Sequence, residues 1–590
     1  MSLGEAIGGM SENMTSDKPT TSENMTSDKP ATSKKMESLF QRHMSRRQML
    51  KGIGLAGTGA LLAACGVGES GSTTTAAQGV TTTSQGVTTT SAIQSSAGPS
   101  NAIYGELYPS LPRGGSLVVG TTEQVPNTLS VLTNSLGATG WNAAPAQDWL
   151  EHYDHNSRLV PSLAESVEVI DDTTLRYTLR DAKFHTGEPV TSENVKDIFD
   201  WVLDEDNGSH LGPRFEGVEI QPEDASRFLF KLDEPNAVVR GNLPRLPIMP
   251  VEFAGDGEQS VGAGPFIFEG WERDSHVDYR SNPDYWNPEA PRVDSLRIRH
   301  FADSTSGTQT FLAGEMDYLY PASFPQYEIL KQRVNDGDFQ MTVTEPGYCY
   351  LAPNITRTPF DNPKVRQAVM YAMDREKMAQ VGFGGPDGVG RELLFPVTPE
   401  HQFYPNDLSI GRDLEKARSL LAEAGLEGGF TATMISPDFT YFAAIATLSQ
   451  QNLAEIGIEI DLAILDISTL IDRAFVQKDF DICVLGAALD PELGTVLEQR
   501  FKTGAGGNYY SYSNPAVDAA LQRGRTTFDE AKRAAAYREV MQIAIVEDAS
   551  VITVTNEPLI NLYRNTTNGA DYKPDPLAIW HWPVASTSAT

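Results

Sequence analysis

Two histidines three residues apart, His152 and His155, with Glu151 and Asp154 beside them, are the nearest this chain comes to a metal or acid–base cluster. Two ligands fall short of the four a closed tetrahedral site needs, and at helical spacing the pair reads as a solvated face. The sequence contains no His-Glu-x-x-His, no Cys-x-x-Cys and no Gly-x-x-x-x-Gly-Lys. Gly382-Phe-Gly-Gly-Pro386 is a turn, because no strand-to-helix unit of the dinucleotide-binding kind surrounds it. The expectation is a protein that is not an enzyme and uses no metal or cofactor. Apart from Cys65, only Cys349 and Cys483 are present, which excludes a disulfide scaffold and points to two buried free thiols, with a single bridge as the alternative.

A different chemistry is written nearer the N-terminus. Ser45-Arg-Arg-Gln-Met-Leu-Lys51 precedes an apolar Gly/Ala segment from Gly52 to Ala64, too short to cross roughly 30 Å of hydrocarbon. It resembles a twin-arginine export signal, with Met49 in the aromatic place. Leu62-Ala-Ala-Cys65 resembles a lipobox, which makes Cys65 the lipidated first residue of the mature chain and places the protein on the outer face of a membrane. Residues 1–44 are a polar extension containing Ser-Glu-Asn-Met-Thr-Ser-Asp-Lys-Pro twice, at Ser11 and Ser22; translation from Met36 or Met44 is the other reading. Residues 66–112 form a Thr/Ser/Gly tract with Gln-Gly-Val-Thr-Thr-Thr-Ser repeated at Gln78 and Gln85. As a flexible tether of about 40 residues it holds its cargo on the order of 35 Å from the lipid.

From about Arg113 the composition is globular and long enough for two or more cores. With 46 basic against 78 acidic residues the formal charge is -32, so nucleic acid is excluded as a partner and an anionic membrane face is a poor one.

Strand and helix patterns alternate along this part. Gly115 to Gly120, Thr174 to Leu179, Phe228 to Leu232, Arg297 to His300, Ile458 to Leu462 and Asp481 to Leu485 read as strands. Asn362-Pro363 opens a helix, with Val365, Ala368, Val369, Ala372 and Met373 on one face; Asp413 to Ala424 and Asp529 to Glu547 are two more. The class is α/β.

Pro161-Ser-Leu-Ala-Glu-Ser166, Leu179 to Val195, Gly262-Ala-Gly-Pro-Phe-Ile267, Asn282-Pro-Asp-Tyr-Trp286, Ala313-Gly-Glu-Met-Asp317 and Val365 to Glu376 occur in the order of the motifs of the family 5 extracellular solute-binding proteins. Asn508-Tyr-Tyr-Ser-Tyr-Ser-Asn-Pro-Ala-Val-Asp518 resembles a further segment of that family, and the likeness runs from about Gly114 to about Trp582. Two of these stretches read as structural: Leu179 to Val195 is a strand, a Gly187 turn and a helix capped by Thr191 or Ser192, and Asn282 to Trp286 is a packed corner.

The resemblance implies a two-lobed, periplasmic-binding-protein-like fold of type II with a ligand cleft between the lobes. Lobe one is placed at 113–150, 260–345 and 555–590, an inserted domain at 151–259 and lobe two at 346–554. It also implies an exported monomer that hands a peptide or similar polar solute to the permease and ATPase subunits of an ABC importer. A ligand-sensing lipoprotein of the same fold is the alternative, and a secreted hydrolase a more distant one.

In peptide-binding members an Asp in a Trp-x-x-Asp-Tyr-x-Asp-Pro type of loop holds the peptide amine. Here the loop reads Val484-Leu-Gly-Ala-Ala-Leu-Asp-Pro491, with Ala487 where that Asp stands. A buried ammonium without a carboxylate is costly, so modified peptides and other polar metabolites gain weight against ordinary peptides. The candidate ligand contacts are Glu123, Gln124, Trp141, Tyr348, Tyr350, Phe439, Tyr441, Gly486, Ala487, Asp490, Asn508, Tyr509 and Tyr510.

Overall fold

The structure, a computed structural model, describes residues 112–122, 126–135, 137–154, 157–322, 326–384, 388–568 and 586–587. The segment read as an export signal, Cys65 and residues 66–111 of the expected tether lie outside them, as do Glu123, Gln124 and His155.

In chain order the strands used below are β1 Ser116–Thr121, β2 Glu151–Tyr153, β3 Leu159–Pro161, β4 Ala164–Asp171, β5 Thr174–Leu179, β6 Val218–Pro222, β7 Arg227–Leu232, β8 Phe266–Glu272, β9 His276–Ser281, β10 Ser295–His300, β11 Tyr318–Tyr320, β12 Gln340–Pro353, β13 Phe430–Pro437, β14 Ile458–Leu465, β15 Ile482–Ala488 and β16 Ile552–Tyr563. The helices are α1 Gly137–Ala143, α2 Ser192–Leu203, α3 Pro363–Ala372, α4 Leu414–Glu423, α5 Thr440–Ala454, α6 Leu493–Phe501 and α7 Glu530–Met541.

The long strands β12 and β16 carry one lobe into the other. A ten-stranded sheet runs β14-β13-β15-β12-β16-β11-β1-β10-β9-β8. β12 pairs with β15 at one end, from Gly347 to Pro353, while β16 reaches β11 at the other, with Tyr318 opposite Tyr563. Between these ends β12 and β16 pair with each other, and the ladder slips between Thr344 and Gly347. A bulge of this kind bends the strand and increases its twist, which lets two lobes share a continuous ladder. Parallel pairs flank the crossing on both sides, β13 with β14 and β15, and β1 with β10 and β11. The class is α/β, as the sequence predicts, with β12 and β16 at the middle of the main sheet.

A separate antiparallel sheet, β4-β5-β7-β6, carries its own core. Alternation puts Leu175, Tyr177 and Leu179 of β5 and Phe228, Phe230 and Leu232 of β7 inside. α2 covers them with Val195, Ile198, Phe199 and Val202, and Phe199 meets Phe230 edge-on at 5.7 Å. Of the two caps the sequence offers, the structure uses Thr191, in a box with Asn194. Asn282 to Trp286 is the expected packed corner: Trp286 Nε1 and the Tyr285 hydroxyl both donate to Asp148, and Arg180 stacks on Trp286.

α3 begins at Pro363 with the Asn362 side chain accepting from Lys364 N, and it buries Val365, Ala368, Val369 and Ala372. Met373 is buried just beyond its last turn, in extended backbone. The sequence reading of His152 fails. It lies on strand β2, only 7% exposed, with Nε2 3.5 Å from Asp148. Its neighbour Glu151 is fully buried beneath Tyr177 and a bidentate Arg240. The segment is a hairpin strand packed inside, so spacing read as helical had no helix to act on.

Cys349 and Cys483 are buried free thiols. In the β12/β15 ladder Cys349 faces Gly486 and Ala352 faces Cys483, so the two sulfurs leave opposite faces of the sheet and cannot join.

Candidate functional site

The crossing strands form a floor. Alternate residues of β16, Glu557, Leu559, Asn561 and Tyr563, share one face, and the pairing sets Thr344 beside Leu559 and Thr342 beside Asn561. Leu559 and Tyr563 pack with Trp141 and Tyr320, whose rings stack at 4.0 Å. At the other end the Tyr441 hydroxyl donates to Glu557 Oε1 at 2.5 Å. Tyr441 and Phe439 stand at the start of α5, with the Tyr441 and Phe442 rings 4.3 Å apart. The floor therefore runs between two aromatic walls, Trp141 from α1 and Tyr441 with Phe439 from α5. Glu557 and Asn561 are four residues apart on a strand, about 13 Å.

The polar groups on this floor are poorly occupied. Both side-chain atoms of Asn561 and the Thr344 hydroxyl are buried without a hydrogen-bond partner. Glu557 is 1% exposed, and among the described residues no Lys, Arg or His pairs with it. Burial raises its carboxyl to about 8, with the Tyr441 bond working against the rise. Buried polar groups in folded proteins are normally bonded, so a row of unbonded ones at a hinge is what a ligand-accepting surface presents.

Two glycines make this floor possible. A Cβ at Gly347 would lie 2.6 Å from Glu557 Oε2, and one at Gly486 would meet the Phe442 ring at 2.8 Å.

The expected contacts divide between the two faces of the sheet. Gly486, Phe439 and Tyr441 lie with Glu557, whereas Tyr348, in register with Ala487, and Tyr350, in register with Leu485, project from the other face. There Tyr350 receives a bond from Arg500 of α6 at 3.1 Å, and Tyr509 lies 3.4 Å from the Tyr350 hydroxyl. Tyr510 donates to the Arg500 carbonyl. Tyr348 is fully buried on this face, where burial pushes its hydroxyl up and the Arg500 guanidinium works against the rise. Asn508 spends its side chain closing its own loop, donating to the Lys502 and Tyr512 carbonyls and accepting from Tyr512 N. Asp490 is committed as well: Arg245 Nη2 donates to it at 2.6 Å and Glu492 N at 3.0 Å.

Around Asp490 the segment carrying the β4–β7 core packs against the loop after β15. Gly241, next to the short helix Ala237–Arg240, lies against the Glu492 carboxylate, and a Cβ at Gly494 would come 2.9 Å from Val238. Gln402 Nε2 donates to the Ser157 carbonyl at 2.9 Å. Glu557, Asn561, Thr344, Arg245 and Arg500 were absent from the sequence-based set. The signal for the first two was available, since Asn556-Glu-Pro558 and Asn561 interrupt an otherwise β-rich run from Val551 to Tyr563.

Comparison with known proteins follows the same lines. Residues 158–508 match the model described as bacterial extracellular solute-binding proteins, family 5 Middle. The glutathione-binding protein GsiB of Pectobacterium atrosepticum is 27% identical over 458 residues, 72% of this chain and 85% of that one. Among solved structures, the ABC transporter substrate-binding protein CtaP of Listeria monocytogenes superposes with a TM-score of 0.70 at 21% identity, over 80% of this chain and 99% of that one. The oligopeptide-binding protein AppA of Bacillus subtilis, solved with a nonapeptide, gives a TM-score of 0.60 at 22% identity, over 81% of this chain and all of that one.

Proposed function

The chain belongs to the family 5 bacterial extracellular solute-binding proteins, and from that premise we propose that it is the monomeric receptor of an ABC importer for a peptide or peptide-like polar solute. The observation that carries this reading is the floor of β12 and β16, with the buried, unpartnered Asn561 amide and the uncompensated Glu557 between two aromatic walls. Ligand pockets are largely apolar with a few placed polar groups, which is this composition. The length of about 13 Å between Glu557 and Asn561 suits an extended tri- or tetrapeptide at roughly 3.4 Å per residue. The relative named for glutathione and the neighbour solved with a nonapeptide set the chemical range of the first candidates.

In this reading solute binding favours closure of the lobes about β12 and β16, and the closed form is presented to the permease, with ATPase subunits driving uptake. Cys65, acylated after twin-arginine export, holds the receptor on the outer membrane face, and residues 66–112 give it reach. No described helix is long and apolar enough to cross a membrane. Ala487 removes one acid from the site, so the solute is a peptide whose amine is held elsewhere or is modified.

A thermal-shift panel of glutathione, tri- and tetrapeptides, oligosaccharides and nickel, run on the Cys65→Ser chain, tests the reading. At 100 times Kd a ligand stabilises its receptor by about 2.7 kcal/mol, a rise of a few degrees. Stabilisation by the peptide-type members and not by sugars or nickel is expected; stabilisation by sugars alone would overturn the peptide assignment.

A further inference from the structure

We propose that Glu557 anchors a cationic group of the solute, an ammonium or guanidinium, at the crossing of β12 and β16. This rests on the solute-binding reading and adds to it the charge that the solute presents at the hinge.

Glu557 stands on β16, and among the described residues the one hydrogen bond to its carboxyl is that which Oε1 accepts from Tyr441. Among the described residues nothing donates to Oε2, and no cation pairs with either oxygen. A carboxyl buried to this degree is ordinarily paired or bonded at both oxygens. The backbone closes tightly on Oε2: a Cβ at Gly347 would lie 2.6 Å from it and one at Gly486 3.3 Å, so both strands need glycine where they pass the carboxyl.

The adjoining loop offers no competing acid: position 487 is Ala, and Asp490 is held by Arg245. Glu345, on the same strand as Gly347, is held by Arg391 and by Asn556. Among the described residues, Glu557 is thus a buried carboxyl at the crossing with no cation paired to it.

The groups facing it fix how binding depends on pH. Tyr441 from α5 and the Cys349 thiol from β12 are both pushed up by burial and stay neutral near pH 7. Of the charges on the neighbouring strand and loop, Glu345 is paired with Arg391 and Asp490 with Arg245; Arg375 donates to the Thr553 carbonyl of β16, and the exposed Glu392 forms a backbone bridge with Thr555. Glu557 itself, raised to about 8, is mostly protonated at pH 7. A bound ammonium stabilises the carboxylate, so the carboxyl gives its proton to the buffer as the ion pair forms. With that value, binding at pH 7 releases about 0.9 of a proton, and apparent affinity rises about ninefold from pH 6 to pH 7. Peptide amines remain largely charged over that interval.

The experiment is titration calorimetry of the full Cys65→Ser chain in buffers of different ionisation enthalpy. The probes are tetra-alanine and glutathione, each with its N-acetylated form as the cation-free control. Free-amine probes are expected to release close to one proton at pH 7 and to bind at least tenfold tighter than the acetylated forms. Glu557→Gln, which keeps the shape and an acceptor for Tyr441, should abolish proton release and the pH dependence. Thermal unfolding of the unliganded variant shows that it is folded. Equal binding of free and acetylated probes, or unchanged proton release in Glu557→Gln, overturns the anchor and leaves the receptor reading intact. Absence of binding by every probe, together with a silent peptide panel, overturns the receptor reading and the anchor with it.

Discussion

Removing the Arg245 guanidinium is expected to weaken solute binding while leaving the chain folded. Its Nη2 lies 2.6 Å from Asp490, the two side chains are 20% and 13% exposed, and they join segments on opposite sides of the crossing. At an effective dielectric of about 20, unit charges 4 Å apart attract by about 4 kcal/mol. Desolvation and residual exposure take most of this away: exposed pairs give about 0.2–1 kcal/mol, and breaking buried ones costs about 3–5 kcal/mol. Asp490 also lies in the field of Arg214, whose Nη1 donates to Asn242 at 2.9 Å, so losing Arg245 does not strand it completely. A coupling of about 1.5 kcal/mol follows, slightly more than tenfold in Kd. The assay is a double-mutant cycle of Arg245→Met and Asp490→Asn, read in Kd by calorimetry and in unfolding midpoint without ligand. Coupling confined to the unfolding midpoint, with less than about 0.3 kcal/mol in Kd, would refute a role for the pair in closure.

Asn561→Ala should lower stability by no more than about 1 kcal/mol, because no hydrogen bond is lost, yet weaken solute binding about tenfold; denaturant titration and calorimetry separate the two. Cys349 and Cys483 should resist a thiol reagent in the folded chain and react fully in guanidinium; both are buried and pushed to high pKa, and reaction before unfolding would contradict their placement. The stability of the unliganded chain should fall as pH rises from about 4.5 towards 8, in part through Glu557. Its folded pKa is raised, so the folded state holds a proton that the unfolded state has released, and Glu557→Gln should flatten that slope.

Local pattern carried much of the fold. Period-two burial in β5 and β7 and the Asn362-Pro363 start of α3 are each set by a few neighbouring residues and stand where the sequence puts them, and of the two caps it offers α2 the structure takes Thr191. The site was only half legible, for a physical reason. Tyr348, Gly486 and Ala487 are close in the sheet, but which face each occupies follows from the β12/β15 register, which no local signal fixes. Glu557 lies more than 200 residues from Gly347, and only the pairing of β12 with β16 brings them together. His152 failed for a similar reason, because its strand is made by pairing with Leu159–Pro161 rather than by its own spacing.

Native mass spectrometry of the full chain carrying Cys65→Ser, purified from its host, tests the central claim most directly. The account predicts a discrete small molecule, released intact on denaturation, that carries an amine and a peptide-like backbone. A released sugar or metal complex, or a molecule that the protein converts to product on incubation, would contradict it.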